Sequence, residues 1–384
     1  MICASKIPLS LYIHIPWCEK KCPYCDFNSH EGFREDLQNN YIQALLIDLT
    51  NQVKWINGRS VSSVFIGGGT PSLFSGNFIS QLLTGVRNLL PLDQDVEITL
   101  ESNPSSAERG RYEDYFSAGI NRLSIGVQSF NDARLALLGR VHSAQDARQA
   151  LMLADEIGFT RLNIDLMYGL PGQNLTTAIA DLEEGLHLTR GHLSWYQLTI
   201  ERNTQFWKSK PSLPDELIID AIQFHGASVI EKAGLKQYEV SAYSLPGEIC
   251  RHNFNYWSFG DYLGIGAGAH GKISRNDGQI LRTRHPRNPN KYLTKMRKNR
   301  KKSPVVEPIT SSQLTAEFIM NALRLAEGCS LEVFEKHTGL NRSQLEKSGA
   351  QSIDRGWLRP LSSGKVAATP LGYRFLDSVV ASFL

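Results

Sequence analysis

The stretch Tyr12-Ile13-His14-Ile15-Pro16-Trp17-Cys18-Glu19-Lys20-Lys21-Cys22-Pro23-Tyr24-Cys25-Asp26-Phe27 decides the fold of this chain. A strand-like run, Leu9 to Ile15, leads directly into three cysteines spaced C-x3-C-x2-C within eight residues. Thiolates bind soft metals, and three on one short loop suit three irons of a 4Fe–4S cube. Bacterial ferredoxin loops use a different spacing and enlist a fourth cysteine. Zinc sites close with four ligands from paired knuckles. No second C-x2-C is present, so a zinc site here would need His14 or His30 to complete it. Cys18, Cys22 and Cys25 as cluster ligands leave one iron open to a substrate or cofactor.

Outward from this loop, strand-like runs alternate with helical patterns. Further strands are predicted at 63–66, 96–100, 122–127, 161–167 and 193–198. The stretches between them, such as Tyr41 to Trp55 and Ala144 to Ile157, carry apolar residues at three- and four-residue spacing. Six β-then-α units predict an α/β fold with a parallel sheet wrapped by helices. Polar and glycine punctuation recurs just after successive strands: the cysteines, Gly67-Gly68-Gly69-Thr70, Glu101, Gln128, and Asp165 near the end of the fifth. Barrels collect function at the C-terminal ends of their strands, which favours a barrel-like arrangement over an open sheet.

The chain has 384 residues, 41% hydrophobic and 21% charged, a globular composition that excludes whole-chain disorder and coiled coil. Apolar runs fall short of the ~18–20 residues of a membrane-spanning helix. The N-terminus carries no signal-peptide pattern, so the expected address is the cytoplasm. Six cysteines in a cytosolic chain are not a disulfide framework. Net charge is +3, yet ten basic residues and no acidic one lie between Asp277 and Glu307: Arg282, Arg284, Arg287, Lys291, Lys295, Arg297, Lys298, Arg300, Lys301 and Lys302. The remainder of the chain, +3 less these ten, carries −7. The segment 282–304 reads as a loop or linker, and no specific nucleic-acid partner is expected.

Beyond residue 205 a helix is predicted from Asp215 to Ala233 and a strand over 238–243. Gly264-Ile265-Gly266-Ala267-Gly268-Ala269 matches a dinucleotide-binding pattern only weakly, lacking a long helix and a following acidic residue, and reads as a close-packed loop near a cofactor. From Thr310 onward, helices and a short turn at Ser362-Ser363-Gly364 suggest a small winged-helix-like unit. Three parts are expected: 1–205, a core with the cysteine loop; 206–305, an extension; and 306–384, the helical unit.

The string from Tyr12 to Phe27 resembles the radical S-adenosylmethionine (SAM) enzymes of the oxygen-independent coproporphyrinogen dehydrogenase type. The resemblance continues through Gly67-Gly68-Gly69-Thr70-Pro71, Glu101-Ser102-Asn103-Pro104, Ser124 to Phe130, Leu138-Gly139-Arg140 and Asn163 to Gly172, and covers nearly the whole chain. It implies a partial (β/α)6 barrel with a small C-terminal helical, winged-helix-like domain. It implies a 4Fe–4S cluster whose open iron chelates SAM, and one-electron cleavage to methionine and a 5′-deoxyadenosyl radical. On this resemblance Tyr12, Tyr24, Gly68, Gly69, Thr70, Glu101, Gln128, Arg140 and Asp165 would contact SAM. The glycines admit close backbone approach. Arg140 suits a carboxylate, the polar groups suit amino and hydroxyl groups, and Tyr24 suits adenine.

Two features depart from the dehydrogenases. Phe27 stands where they carry a further cysteine, two residues past the third cluster ligand. Cys250-Arg251-His252-Asn253-Phe254-Asn255-Tyr256-Trp257 contains His-Asn-x-x-Tyr-Trp, similar to the marker of the HemW-type haem chaperones. That branch implies haem as a ligand, with His252 as its contact. It implies haem-accepting proteins as partners, membrane-associated ones among them, and an electron donor for the cluster. Haem binding and delivery is therefore the expected function, and oxidative decarboxylation of coproporphyrinogen propionates the alternative.

Overall fold

The computed structural model describes residues 2–105, 110–298 and 304–383. Six parallel strands follow one another in chain order: β1 Leu9–Ile15, β2 Val61–Gly68, β3 Leu92–Ser102, β4 Arg122–Gln128, β5 Arg161–Tyr168 and β6 His192–Gln197. The helices between them are α1 Leu37–Gln52, α2 Gly76–Leu89, α3 Tyr112–Ala118, α4 Asp132–Leu137, α5 Ala144–Ile157 and α6 Leu175–Leu188. Local signals set the ends of these helices. A capping box pairs Ser143 with Asp146 at the start of α5, and left-handed Gly158 closes it.

The strands carry two different faces. Leu11, Ile13, Val64, Ile66, Ile98, Leu100, Leu123, Ile125, Leu162, Ile164 and Leu193 are buried beneath the helices in the main hydrophobic core. The intervening residues point to the other side of the sheet because side chains alternate along a strand. These are Ser10, Tyr12 and His14 on β1; Ser63, Phe65 and Gly67 on β2; Glu97, Thr99 and Glu101 on β3; Arg122, Ser124 and Gln128 on β4; Asn163 and Asp165 on β5; and His192, Ser194 and Tyr196 on β6. The sheet curls around this polar set without closing, which makes the fold a partial barrel.

Beyond β6, α7 Glu216–Lys232 leads into an antiparallel hairpin, β7 Lys236–Glu239 and β8 Ala242–Ser244, where one continuous strand was predicted. Helix α8 Arg251–Trp257 follows, then β9 Asp261–Ile265, which pairs parallel to β1 on the side away from β2. β10 His270–Ser274, β11 Ile280–Arg284 and β12 Val305–Pro308 extend the sheet antiparallel, giving twelve strands among the described residues.

The basic segment is therefore not a linker. It contributes β11 and helix α9 Pro289–Lys298, whose Tyr292, Leu293 and Met296 are buried in the main core. Its net charge masks an amphipathic pattern. Arg282 pairs with Glu317 and Arg284 with Glu307, while Arg300, Lys301 and Lys302 lie outside the described residues. A second core is built from α10 Ser311–Ala322, α11 Leu331–Thr338, α12 Arg342–Asp354 and the short ribbon β13 Cys329–Ser330 with β14 Lys365–Val366. Ile2, Ile7, Phe259 and Ile280 enter the same core and seal it to the barrel. No helix among the described residues is long and apolar enough to cross a membrane.

Asp261 pins β9 in place. It is fully buried and accepts hydrogen bonds from Arg59 Nη1 at 2.7 Å, Lys272 Nζ at 2.8 Å and the Ser274 N–H at 2.8 Å. Burial alone would raise its carboxyl, but Lys272 and Arg59 outweigh that and hold it below the usual range. Its stabilising contribution is present above the ordinary carboxylate range near about 4 and is lost as pH falls below it. Asp261→Ala leaves two buried cations without their anion. The expected loss is about 3–5 kcal/mol in unfolding free energy, read from denaturant midpoints. A loss below ~1 kcal/mol, the level of an exposed pair, is the contrary result.

Candidate functional site

The cysteine loop leaves β1 and returns to it. The Cys18 N–H donates to the His30 carbonyl at 2.9 Å, and the His30 N–H donates to the Pro16 carbonyl at 2.8 Å. Inside the loop, Lys21 Nζ donates to the Phe27 carbonyl at 3.0 Å. His14 Nε2 meets the Asn28 carbonyl at 2.9 Å, and the Asn28 amide donates to the carbonyls of Ala267 and Arg287. His14 is thus a strut of the loop and not a ligand. The glycine cluster is not all loop: Gly264 and Ile265 end β9, and only 266–269 form a close-packed turn, pressed against the His14 carbonyl and Asn28.

Cys18 is buried, while Cys22 and Cys25 are half-buried, and all three line one cavity of about 510 Å³. Burial pushes the Cys18 thiol up to about 11 and raises Cys25 as well. A thiolate at Cys18 or Cys25 would need compensating positive charge, which a bound metal can supply. Among the described residues no three His, Cys, Asp or Glu side chains converge on a single-ion position. A cube asks for another arrangement, in which each thiolate takes its own corner.

The end of β2 locks onto the loop. The Gly69 N–H donates to the Ile15 carbonyl at 2.8 Å and the Thr70 N–H to the Trp17 carbonyl at 2.7 Å. Gly68 adopts φ +125°, and a Cβ there would stand 2.7 Å from His14 Cε1. Glycine is therefore required here by packing against β1. Glu101 accepts the Gly68 N–H at 2.9 Å, and burial pushes its carboxyl up to about 7.

Gln128 ends β4 with φ +70°, a left-handed conformation that a non-glycine residue adopts only when its surroundings hold it there. The Tyr196 hydroxyl does so, donating to Gln128 Oε1 at 2.9 Å, beside a register slip between β4 and β5. Arg140 donates to Asn103 Oδ1 at 2.6 Å and the Gly126 carbonyl at 2.7 Å, and its Nη1 lies 3.7 Å from Cys22 Sγ. Asp165 accepts from Asn163 Nδ2 at 2.8 Å and from Ser124 Oγ at 3.1 Å, and burial raises its carboxyl.

Eleven of the predicted residues line this one cavity: Cys18, Cys22, Tyr24, Cys25, Gly68, Gly69, Thr70, Glu101, Gln128, Arg140 and Asp165. Tyr12 and His252 do not. The Tyr12 hydroxyl meets His14 Nδ1 at 3.0 Å, and its ring neighbours Phe65 and His252. His252 is buried against Phe65, with Nδ1 3.4 Å from Ser63 Oγ. The helical period of α8 causes the separation: Cys250, Asn253 and Trp257 share the face that lines the cavity. That helix packs on β1, β2 and β9 below the interior, at the end opposite the cysteine loop.

Asn103, Ser124, Asn163 and Tyr196 also line the cavity and were not singled out from the sequence. Asn163 stands two residues before Asp165 on the same strand face, which is a signal that period-two reading can find. Thr99 Oγ1, Arg140 Nε, Trp257 Nε1 and Arg324 Nε belong to lining residues, are buried, and have no protein partner. Such atoms call for water or a ligand.

Residues 12–184 match the family model of the radical SAM superfamily. "Heme chaperone HemW" of Escherichia coli is 47% identical over 98% of both chains. Its counterpart in Haemophilus influenzae is 42% identical over 98% of both. The chain belongs to the HemW family of the radical SAM superfamily. The solved structure titled "Coproporphyrinogen III oxidase (HemN) from Escherichia coli is a Radical SAM enzyme" matches with a TM-score of 0.82. It covers 99% of this chain and 90% of its own at 23% identity, a likeness of fold. Membership in the radical SAM superfamily implies a 4Fe–4S cluster and SAM.

Replacing any one of Cys18, Cys22 or Cys25 with Ser in this HemW-family chain is expected to abolish the broad visible absorption of a reconstituted cluster and most bound iron. Replacing Cys3, Cys250 or Cys329 is expected to leave both intact. Equal iron in the triple loop variant is the contrary result.

Proposed function

We propose that this chain is a haem chaperone that binds haem and delivers it to haem-requiring proteins, using a 4Fe–4S cluster and SAM. The observation that carries the reading is chain-long identity with HemW proteins; the motif from Cys250 to Trp257 agrees with it by resemblance. The residues present fit the implied groups: three thiols, an unpartnered buried Arg140 Nε, and the carboxyls of Glu101 and Asp165 line one cavity. When bound, the cluster supplies a one-electron reductant and an open coordination position for SAM. With SAM bound there, Arg140 would neutralise the methionine carboxylate and Glu101 would accept a hydrogen bond from the amino group. Asp165, already held by Asn163 and Ser124, is set to accept from ribose hydroxyls.

For haem, the motif offers two faces. His252 is a neutral imidazole, pushed down to about 3 by burial, and in this arrangement its ring is packed against Phe65. Cys250, Asn253 and Trp257 face the cavity. Ligation through His252 would require α8 to turn or withdraw. Phe27 is 62% exposed at the cavity rim, an apolar side chain where the dehydrogenases have a cysteine.

The second reading, coproporphyrinogen dehydrogenase, draws on the likeness of fold to HemN. One anaerobically reconstituted, reduced sample separates the two. Haem retention without porphyrinogen conversion is expected. Conversion at a catalytic rate establishes the dehydrogenase instead. His252→Ala is expected to shift the haem spectrum or weaken retention. Unchanged spectra there, with loss on replacing Cys250 or Tyr256, would move the contact within the motif.

A further inference from the structure

Between the SAM end of the cavity and the haem motif runs a chain of buried and part-buried hydrogen bonds that neither role explains. Asp165 accepts from Asn163 Nδ2 at 2.8 Å. Asn163 Oδ1 lies 2.7 Å from His192 Nδ1. His192 Nε2 lies 2.9 Å from the Tyr238 hydroxyl. The Cys250 N–H, at the N-terminus of α8, reaches that hydroxyl at 3.4 Å.

The chemistry of the groups fixes the direction of every link. The Asn163 amide nitrogen donates to Asp165, and its carbonyl, which also accepts from Ser194 Oγ at 3.0 Å, faces His192. That carbonyl is itself an acceptor, so His192 carries its proton on Nδ1. Burial holds the imidazole neutral, which leaves Nε2 bare to accept from Tyr238. The Tyr238 oxygen, having donated its proton, accepts from Cys250. No link can be reversed singly without setting two donors or two acceptors against each other.

Tyr238 reaches inward because the β7–β8 ladder slips register between Gln237 and Glu239. Bulges of this kind re-aim a side chain, often beside a functional site. The same residue accepts the Ala326 N–H through its carbonyl at 3.0 Å, which ties it to the C-terminal helical unit.

We propose that Asn163, His192 and Tyr238 are positioning residues that couple SAM occupancy at Asp165 to the setting of α8, so that SAM and haem alter one another's affinity. This rests on the haem-chaperone reading. A SAM hydroxyl competing for Asp165 loosens the first link, and the change passes to the amide that begins α8. Coupling between two sites is reciprocal and typically amounts to fivefold or more.

The test measures SAM affinity of the cluster-loaded full chain with and without saturating haem. About a fivefold or larger change is expected in the unmodified protein and less than about twofold in Tyr238→Phe, which removes only the hydroxyl. Two bound ligands without coupling, or full coupling in Tyr238→Phe, overturns the relay. Failure to bind haem or SAM at all overturns the chaperone reading itself. Should Tyr238→Phe fail to fold, 15N chemical shifts of His192 in the unmodified protein decide. Protonated Nδ1 with bare Nε2, shifting on SAM addition, is expected. The opposite tautomer, or no response to SAM, overturns the proposal.

Discussion

The alternation of side chains along six parallel strands is the constraint on which the rest of this structure depends. One face of each strand is aliphatic and buries itself under the helices. The other is polar, from Ser10 and Ser63 through Glu97 and Arg122 to Asn163 and His192. Closed barrels fill their interiors with branched aliphatic layers. A polar interior cannot pack that way, because each group needs a hydrogen-bonding partner at fixed geometry. The result is a networked lining around a cavity of about 510 Å³ instead of a solid core. The open arc of the sheet follows the same logic, since there is little apolar surface inside to draw the edges together.

This lining places a redox loop at one end and an aromatic helix at the other. The loop is fixed through backbone rather than through its cysteines: His14 and Asn28 hold its far side, and Gly69 and Thr70 hold its near side. The thiols take no part in that bracing beyond long contacts, Cys22 with Arg140 Nη1 at 3.7 Å and Cys25 with Ser29 Oγ at 3.8 Å. α8 is anchored by Asn255, which donates to Ser10 Oγ at 2.8 Å and to the Asp261 carbonyl at 2.9 Å. The buried Asp261 group therefore supports both the edge of the barrel and the base of the helix that carries His252.

Much of this was legible in the sequence. The six strands, the cysteine loop and the polar strand ends are local patterns, and Gly68, Glu101, Gln128, Arg140 and Asp165 meet in one cavity because parallel register puts strand ends together. Three features were not legible. Helix α9 was hidden by its charge, although Tyr292, Leu293 and Met296 carry the period. The motif at His252 reads as a single string, but a helix divides it between two faces, and which face meets the cavity depends on tertiary docking. The contact of His192 with Asn163 and Tyr238 joins three strands, so it depends on register and on a bulge that no local signal announced.

The central claim is that the three-cysteine loop presents an open iron to the cavity lined by Arg140, Glu101 and Asp165. The most direct measurement is the electron paramagnetic resonance spectrum of the reduced, reconstituted cluster before and after SAM is added. A clear change in g-values on addition, lost in Arg140→Ala at the same SAM concentration, is the expected result. A spectrum that SAM leaves unchanged in the unmodified protein would contradict it.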